Sequence, residues 1–112
     1  MDEFKFTPNQ YYVDEGRRRF ADIANYAIIT IDGEGYEYPI AETINRDGFF
    51  KHYFDVEDEP VGNIERIELF TESGASLGSG VGYIEKGDDG WQIAIKLFVT
   101  LKEDEENDAS EG

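Results

Sequence analysis

Strict alternation of apolar residues near the end of the chain is the feature that most constrains its fold. The apolar positions of this segment are Trp91, Ile93, Ile95, Leu97, Val99 and Leu101. Successive side chains of a strand point to opposite faces, so the pattern predicts a long strand with one apolar face and one mixed face. Such a strand needs a sheet beside it and a cover over its apolar face. The segment therefore predicts a β-rich fold.

Length and composition are those of one small domain, which we expect to span residues 1–102. The chain has 112 residues, 39% of them hydrophobic, with eight Phe, seven Tyr and one Trp. Large aromatic side chains help a small domain to bury enough surface. The absence of Cys excludes disulfides and thiol catalysis. No apolar run approaches the roughly 20 residues of a membrane span and no leader pattern opens the chain, so we expect synthesis in the cytoplasm without membrane association.

Acidic residues dominate the charge of the chain. The formal net charge is −16, from 26 acidic and 10 basic residues. Residues 103–112 form an acidic tail with no basic residue, which we expect to be disordered. Phosphate contacts need a basic surface, so the composition argues against nucleic-acid binding. The acidity itself has two interpretations, solubility of a β-rich domain or mimicry of DNA charge.

One amphipathic helix is predicted near the start of the chain, ending near Ile23. Two starts are compatible with the sequence. Thr7 is followed by Pro8 and Gln10, as in a capped helix start, and Asp14 is a second cap candidate. The apolar face carries Val13, Phe20 and Ile23 at helical spacing. If this helix covers the sheet, Phe20 and Ile23 are buried.

The same helix carries the only basic cluster of the sequence, Arg17, Arg18 and Arg19. One interpretation is solvation of the helix and pairing with nearby acids. The other is a docking contact with an acidic neighbour, for which Arg18 and Arg19, on the basic side of the helix, point outward. In an assembly of identical acidic subunits, that neighbour is another copy of the chain. These three arginines are the candidate interaction residues.

The rest of the chain reads as strands joined by short turns. A hairpin is predicted over 26–31 and 36–40, with its turn at Asp32–Gly35 and its second strand at an edge because of Pro39. Further strands are predicted at 49–56, 64–70, 83–86 and 91–101. The segment 43–48 reads as a polar turn, and the glycine-rich segment 75–81 as a weak strand or a loop. The last strand is expected to pair with the segment around Tyr83.

This order gives one N-terminal α-helix followed by about five to seven strands, without the spacing of βαβ units. It predicts a mainly β, antiparallel β-sandwich-like domain. On one strand, Phe50, His52, Phe54 and Val56 are expected to share a face.

Nothing in the sequence predicts a catalytic, cofactor or metal site. His52 is the only His, and in an alternating strand it reads as a packed or half-exposed aromatic-like residue. The acids of 55–59 and 88–89 lack the spacing of a calcium loop. The segment Gly78–Gly82 is rich in glycine but lacks the Lys and the following helix of a phosphate loop. We therefore expect neither an enzyme nor a cofactor.

Two parts of the chain together resemble a known group of proteins. The first is Phe6–Gln10 leading to Gly16–Ala21, and the second is Val61–Phe70, then Ser73–Gly74, then Gly90–Phe98. This order resembles small β-rich modules of tailed-bacteriophage tail and baseplate proteins. The chain lacks the long repetitive shaft of fibre proteins, which favours an accessory, connector or tail-associated role. No functional residue is carried over from the resemblance.

The resemblance implies a non-catalytic structural protein of the virion that binds other protein subunits. Because tail parts are symmetric, it also implies a homo-oligomer. Such a protein resides in the host cytoplasm during synthesis and afterwards in the virion. The alternative hypothesis is an acidic DNA-mimic inhibitor of host defence, of the anti-restriction or anti-CRISPR type. A continuous acidic stripe would favour mimicry, and scattered acids with a bare apolar patch would favour assembly.

Overall fold

The structure, a computed structural model, describes residues 2–57 and 59–103. One helix precedes seven strands, which are α1 (Gln10–Ile23), β1 (Ala24–Ile31), β2 (Glu34–Pro39), β3 (Glu42–Arg46), β4 (Phe49–Val56), β5 (Gly62–Thr71), β6 (Ser76–Lys86) and β7 (Trp91–Phe98). The prediction of a mainly β domain with one N-terminal helix is confirmed. The predicted acidic tail lies, apart from Glu103, outside the described residues. No helix in the described ranges is long and apolar enough to cross a membrane.

The strands form two antiparallel sheets that face each other as a sandwich. Their orders are β2-β1-β5-β6 and β3-β4-β7. The predicted hairpin is β1–β2, and its turn residues Asp32 and Gly33 have φ values of 50° and 84°. Positive φ at both positions is what a tight turn between twisted strands requires. As predicted, the strand containing Pro39 lies at an edge.

The alternation predicted for the last strand is confirmed by its register against β4. Phe50 pairs with Leu97, Phe54 with Ile93, and Val56 with Trp91, so these residues share one face. On β4, Phe50, His52, Phe54 and Val56 share one face, as expected, and all four are buried.

The core lies between the middle of β1 and the inner face of β4. Its buried members are Ala27, Ile29, Ile31, Phe54, Val56, Ile64 and Leu69. Three of them alternate along β1, which is flanked by β2 and β5 in its own sheet and covered by β4 from the other sheet. The sandwich is therefore packed most densely along β1 and β4.

Two expectations about the strands are wrong, and one open alternative is decided. The segment read as a polar turn at 43–48 contains β3, an edge strand whose single partly buried residue, Ile44, gives too little apolar signal. For the glycine-rich segment 75–81 the strand alternative is confirmed, since Ser76–Lys86 forms one strand, β6, which includes the strand predicted at 83–86 and pairs with β5 despite two irregularities in register. The last strand pairs with β4 and not with the segment around Tyr83, since the connection between β6 and β7 crosses from one sheet to the other.

The helix begins at neither predicted start. Asn9 caps it, and its Oδ1 accepts a hydrogen bond of 3.0 Å from the Tyr12 amide, because Asn is as good a cap as Thr. Thr7 instead donates its hydroxyl to Glu103. The burial expected for Phe20 and Ile23 is also wrong, since they are 56% and 45% exposed. The helix turns a face with buried Arg17 and Ala21 towards the sheets.

Candidate interaction surface

Arg17, the first residue of the predicted basic cluster, is part of the fold. Its side chain is buried, and its Nε donates to Asn45 Oδ1 on β3. Its Nη1 donates to Asp14 Oδ1 at 2.9 Å within the helix. The arginine thus holds α1 against the three-stranded sheet. Outward orientation was expected for Arg18 and Arg19, on the basic side of the helix, and the burial of Arg17 does not contradict it.

Arg18 and Arg19 are exposed and lie near acids of their own helix. Arg18 contacts Glu15 at 2.7 Å and Asp22 at 3.5 Å, while Arg19 lies 3.8 Å from Glu15. The hydrogen bond with Arg18 lowers the pKa of Glu15, and the same bond raises the pKa of Arg18. Exposed pairs of this kind contribute little to stability. A partner contact at Arg18 and Arg19 stays a prediction.

Lys86 is another buried charged residue, at the end of β6. Its Nζ donates to the carbonyl oxygens of Pro60, at 2.9 Å, and of Gly87, at 3.2 Å. These bonds tie the loop before β5 to the end of β6. Lys86 therefore serves the fold, as Arg17 does.

His52 lies in the interior and is fully buried. Its Nδ1 is 2.9 Å from the Thr43 hydroxyl, and the Phe50 ring stands edge-on to the imidazole at 5.1 Å. Burial lowers the pKa of His52, so the neutral form is favoured. The described ranges contain no group of three or more His, Cys, Asp or Glu side chains that could hold a metal ion.

An acidic groove of about 780 Å³ lies where β4 ends and β7 begins. It brings together Asp55, Glu57 and Glu59 with the Trp91 indole, and Gln92 donates to Asp55 at 3.1 Å. The described residues that line the groove include no His, Lys, Ser or Thr, so its carboxylates have no basic or nucleophilic side chain of another type beside them. The groove therefore supports no assignment of a reaction.

The edge strands on one side of the sandwich, β2 and β3, are protected. Glu34, Glu37 and Pro39 lie in β2, and β3 has only five residues, with charges at both ends. Charges, Pro and short length are the devices that keep sheet edges from pairing with other chains. The link between the two strands closes this side, since the Ala41 amide donates to the Tyr53 carbonyl at 2.7 Å.

The edge strands on the opposite side of the sandwich, β6 and β7, lack these protective features over most of their length. From Ser76 to Ile84, β6 has no charged residue, and β7 has only Lys96. All of β6 before Lys86 is exposed, and Val81 is 84% exposed. We call the surface formed by Ser76–Ile84 and Trp91–Phe98 the open side. In a chain with 32% charged residues, such an uncharged surface is unusual for solvent exposure.

An apolar cleft runs between the two strands of the open side. It has a volume of about 420 Å³ and is lined by Ile67 and Leu69 of β5, Leu77, Gly78 and Gly80 of β6, and Ile95 and Leu97 of β7. A Cβ atom added at Gly78 or Gly80 would meet nothing within 4 Å. These glycines therefore leave the part of β6 that faces the cleft without side chains, and β7 is only partly covered, with Ile93 and Ile95 half-buried against the core.

The helix extends the cleft at one end of the sandwich. A second cavity of about 530 Å³ is lined by Phe20 and Ile23 of α1 together with Leu77, Leu97 and Phe98. The apolar residues of the helix that were expected to be buried thus belong to this continuous surface. Sequence reasoning missed the open side, although the uncharged run 75–84 in an acidic chain was the signal for it.

Comparisons with known proteins identify no relative of this chain. No family model matches the chain, and neither a curated protein nor a solved structure shows significant similarity to it.

Proposed function

We propose that this protein is a non-catalytic interaction module of a bacteriophage virion, associated with the tail. The observation that supports interaction is the open side, where two unprotected strand edges flank an apolar cleft. Soluble monomers rarely expose a contiguous apolar surface of this kind, which usually marks a site of protein–protein contact. The assignment to a phage tail rests on the resemblance of the helix start and of the strands around Val61–Phe70 and Gly90–Phe98.

The spread of acids over several elements supports assembly rather than DNA mimicry, although three of them, Asp55, Glu57 and Glu59, share one groove. Acidic side chains lie on separate elements, at Asp14 and Glu15 of α1, at Glu34 and Glu37 of β2, and at Glu65 of β5. Mimicry needs carboxylates spaced like phosphates along one face, and the acids on α1 and on the β1–β2 hairpin belong to different parts of the fold. The open side, whose one charged residue is Lys96, is suited to apolar contact with a protein partner, whereas a DNA mimic would contact its partner through carboxylates.

Mass spectrometry of purified phage particles tests the proposal. For a phage whose genome encodes this chain, we expect the protein in density-purified virions at a fixed ratio to the other tail proteins. Particles dissociated into heads and tails should retain it in the tail fraction. Its absence from particles, combined with release of DNA from a host nuclease by the purified chain, would contradict the proposal in favour of the inhibitor.

A further inference from the structure

We propose that the open side is occupied by a second copy of this chain, with β6 of one copy pairing antiparallel with β6 of the other. This inference rests on the proposed function, because the dimer and the proposed function both require the open side to be a surface at which subunits assemble. It goes further by naming the occupant and the strand. The result is an isologous dimer in which each copy covers the cleft of the other.

Charge favours a second copy at this surface. Two chains of net charge −16 repel each other wherever their acidic surfaces meet. The open side is where they can touch with little like-charge contact, since Ser76–Ile84 is uncharged and β7 contributes one Lys. It also lacks the charges that would select a basic or acidic partner of another kind.

The exposed apolar area is sufficient for a stable dimer. Tyr83, Trp91 and Phe98 are 65%, 44% and 70% exposed, and Leu77, Val81, Ile84 and Leu97 add aliphatic surface. Together these side chains expose roughly 400–700 Å² of apolar area. A standard interface buries about 800 Å² per partner, of which roughly 450 Å² is apolar. The open side therefore provides the area that such an interface needs.

Symmetry sets the expected register of the two strands. The uncharged part of β6 is centred on Gly80, so antiparallel pairing about Gly80 matches uncharged residues with uncharged residues throughout. The two four-stranded sheets then form one continuous sheet, and both β7 strands face a shared core. Leu77, Ile95 and Leu97, which line the cleft, become interior residues of the dimer.

Sedimentation equilibrium of the full chain and of two matched variants tests this arrangement. Val81→Lys places a cation on the exposed edge of β6, and near the same cation of the second copy. Val61→Lys makes the same change of charge at another exposed valine, 53% exposed in the loop before β5. We expect a dimer for the wild type, a dissociation constant raised about tenfold or more for Val81→Lys, and an almost unchanged constant for Val61→Lys.

The matched pair of variants also controls for repulsion between the net charges of whole molecules. Each Lys makes the chain less acidic, so loss of the dimer in Val81→Lys alone reflects the local contact at β6. Circular dichroism of both variants should match the wild type, because both valines are exposed in the monomer.

Single-cysteine variants give a second measurement that does not depend on affinity. Because the chain has no Cys, one introduced thiol reports one position. Gly80→Cys should form an intermolecular disulfide rapidly under mild oxidation, since directly opposed residues of paired strands bring their Cα atoms to about 4.5–5.5 Å. Ser73→Cys, in the turn between β5 and β6, should remain reduced because its two copies lie far apart in this register.

Other occupants give different results and would overturn the proposal. A wild type that stays monomeric at high concentration overturns the β6 dimer. A dimer weakened by Phe4→Ser and Phe6→Ser but not by Val81→Lys shows exchange of the N-terminal arms. A dimer weakened only by Arg18→Glu and Arg19→Glu shows contact through the helix.

The outcomes of this test and of the virion test are separable. A monomer that is nevertheless present in purified tails contradicts the β6 dimer and leaves the proposed function standing. A β6 dimer that is absent from virions contradicts the tail assignment and leaves the dimer standing.

Discussion

Protonation of His52 should make the stability of this fold depend on pH. The pH range of this dependence lies above the range in which the carboxylates titrate. His52 lies on β4, its imidazole is fully buried, and burial lowers its pKa below the ordinary value of about 6.5. A group with a lowered pKa in the folded state binds its proton more readily when unfolded. The stabilising contribution is therefore complete above pH 6.5, and it is lost as the pH falls towards the folded-state pKa.

The size of the pH effect on stability follows from the uptake of a single proton by His52. At most one proton per molecule is taken up on unfolding through His52, so the free energy of unfolding falls by at most about 1.4 kcal/mol for each pH unit. Between pH 7.5 and pH 5.5 the loss approaches about 1.4 kcal/mol as an upper limit. Hydrogen bonds with Arg18 and with Ser76 lower the pKa of Glu15 and Glu68, respectively, so those carboxylates act only at more acidic pH.

Urea titrations at a series of pH values measure this slope for the wild type and two variants. His52→Phe should remove most of the slope between pH 7.5 and pH 5.5, whatever its effect on stability at pH 7.5. Thr43→Val removes the hydroxyl 2.9 Å from Nδ1 and should lower the stability at every pH while keeping the slope. A wild-type slope near zero, or an equal slope in His52→Phe, would refute the reasoning.

Three further substitutions test the packing by guanidinium titration. Phe54→Ala, at a fully buried site, should cost about 3–5 kcal/mol, and a cost below about 1 kcal/mol would place the core elsewhere. Trp91→Ala, at a side chain that is 44% exposed, should cost about half as much, and an equal cost would mean that β7 is covered in the monomer. Gly62→Ala should destabilise more than Gly48→Ala, because both positions have positive φ but only the Cβ at Gly62 would collide with the Asp32 carboxylate; equal costs would rule out that collision.

The sequence predicted the central strands well because their side chains alternate without interruption. In β4, Phe50 to Val56 is apolar at every second position, and the period of two specifies both the strand and its inner face. The β1–β2 hairpin was also predictable, since Asp32 and Gly33 are the residue types that a tight turn requires. Both features are local, so one stretch of sequence contains the information.

Burial was harder to predict than register. Trp91 occupies the expected face of β7 opposite Val56, yet it is 44% exposed because none of the described residues covers it fully. Phe20 shows the same limit, since helical spacing identifies an apolar face but not whether the fold covers it. Alternation of apolar residues determines the face on which a side chain lies. Whether that face is covered depends on how elements distant in sequence pack together.

Pairing across the two sheets was the least accessible feature. The turn before Trp91 is typical of a hairpin, and a hairpin would join the strands on either side of it. The chain instead crosses between sheets there, because β5 pairs with β6 and β4 pairs with β7. Local sequence does not distinguish a turn within a sheet from a turn between sheets.

The pairing of β4 with β7 sets the order in which the chain can fold during synthesis. The hairpins β1–β2, β3–β4 and β5–β6 join neighbours in sequence and can form as soon as they leave the ribosome. The sheet that contains β4 is completed only when Trp91–Phe98 has emerged. Until that moment one edge of β4 has no partner, so chains that stall before Trp91 are the ones most exposed to mispairing and degradation.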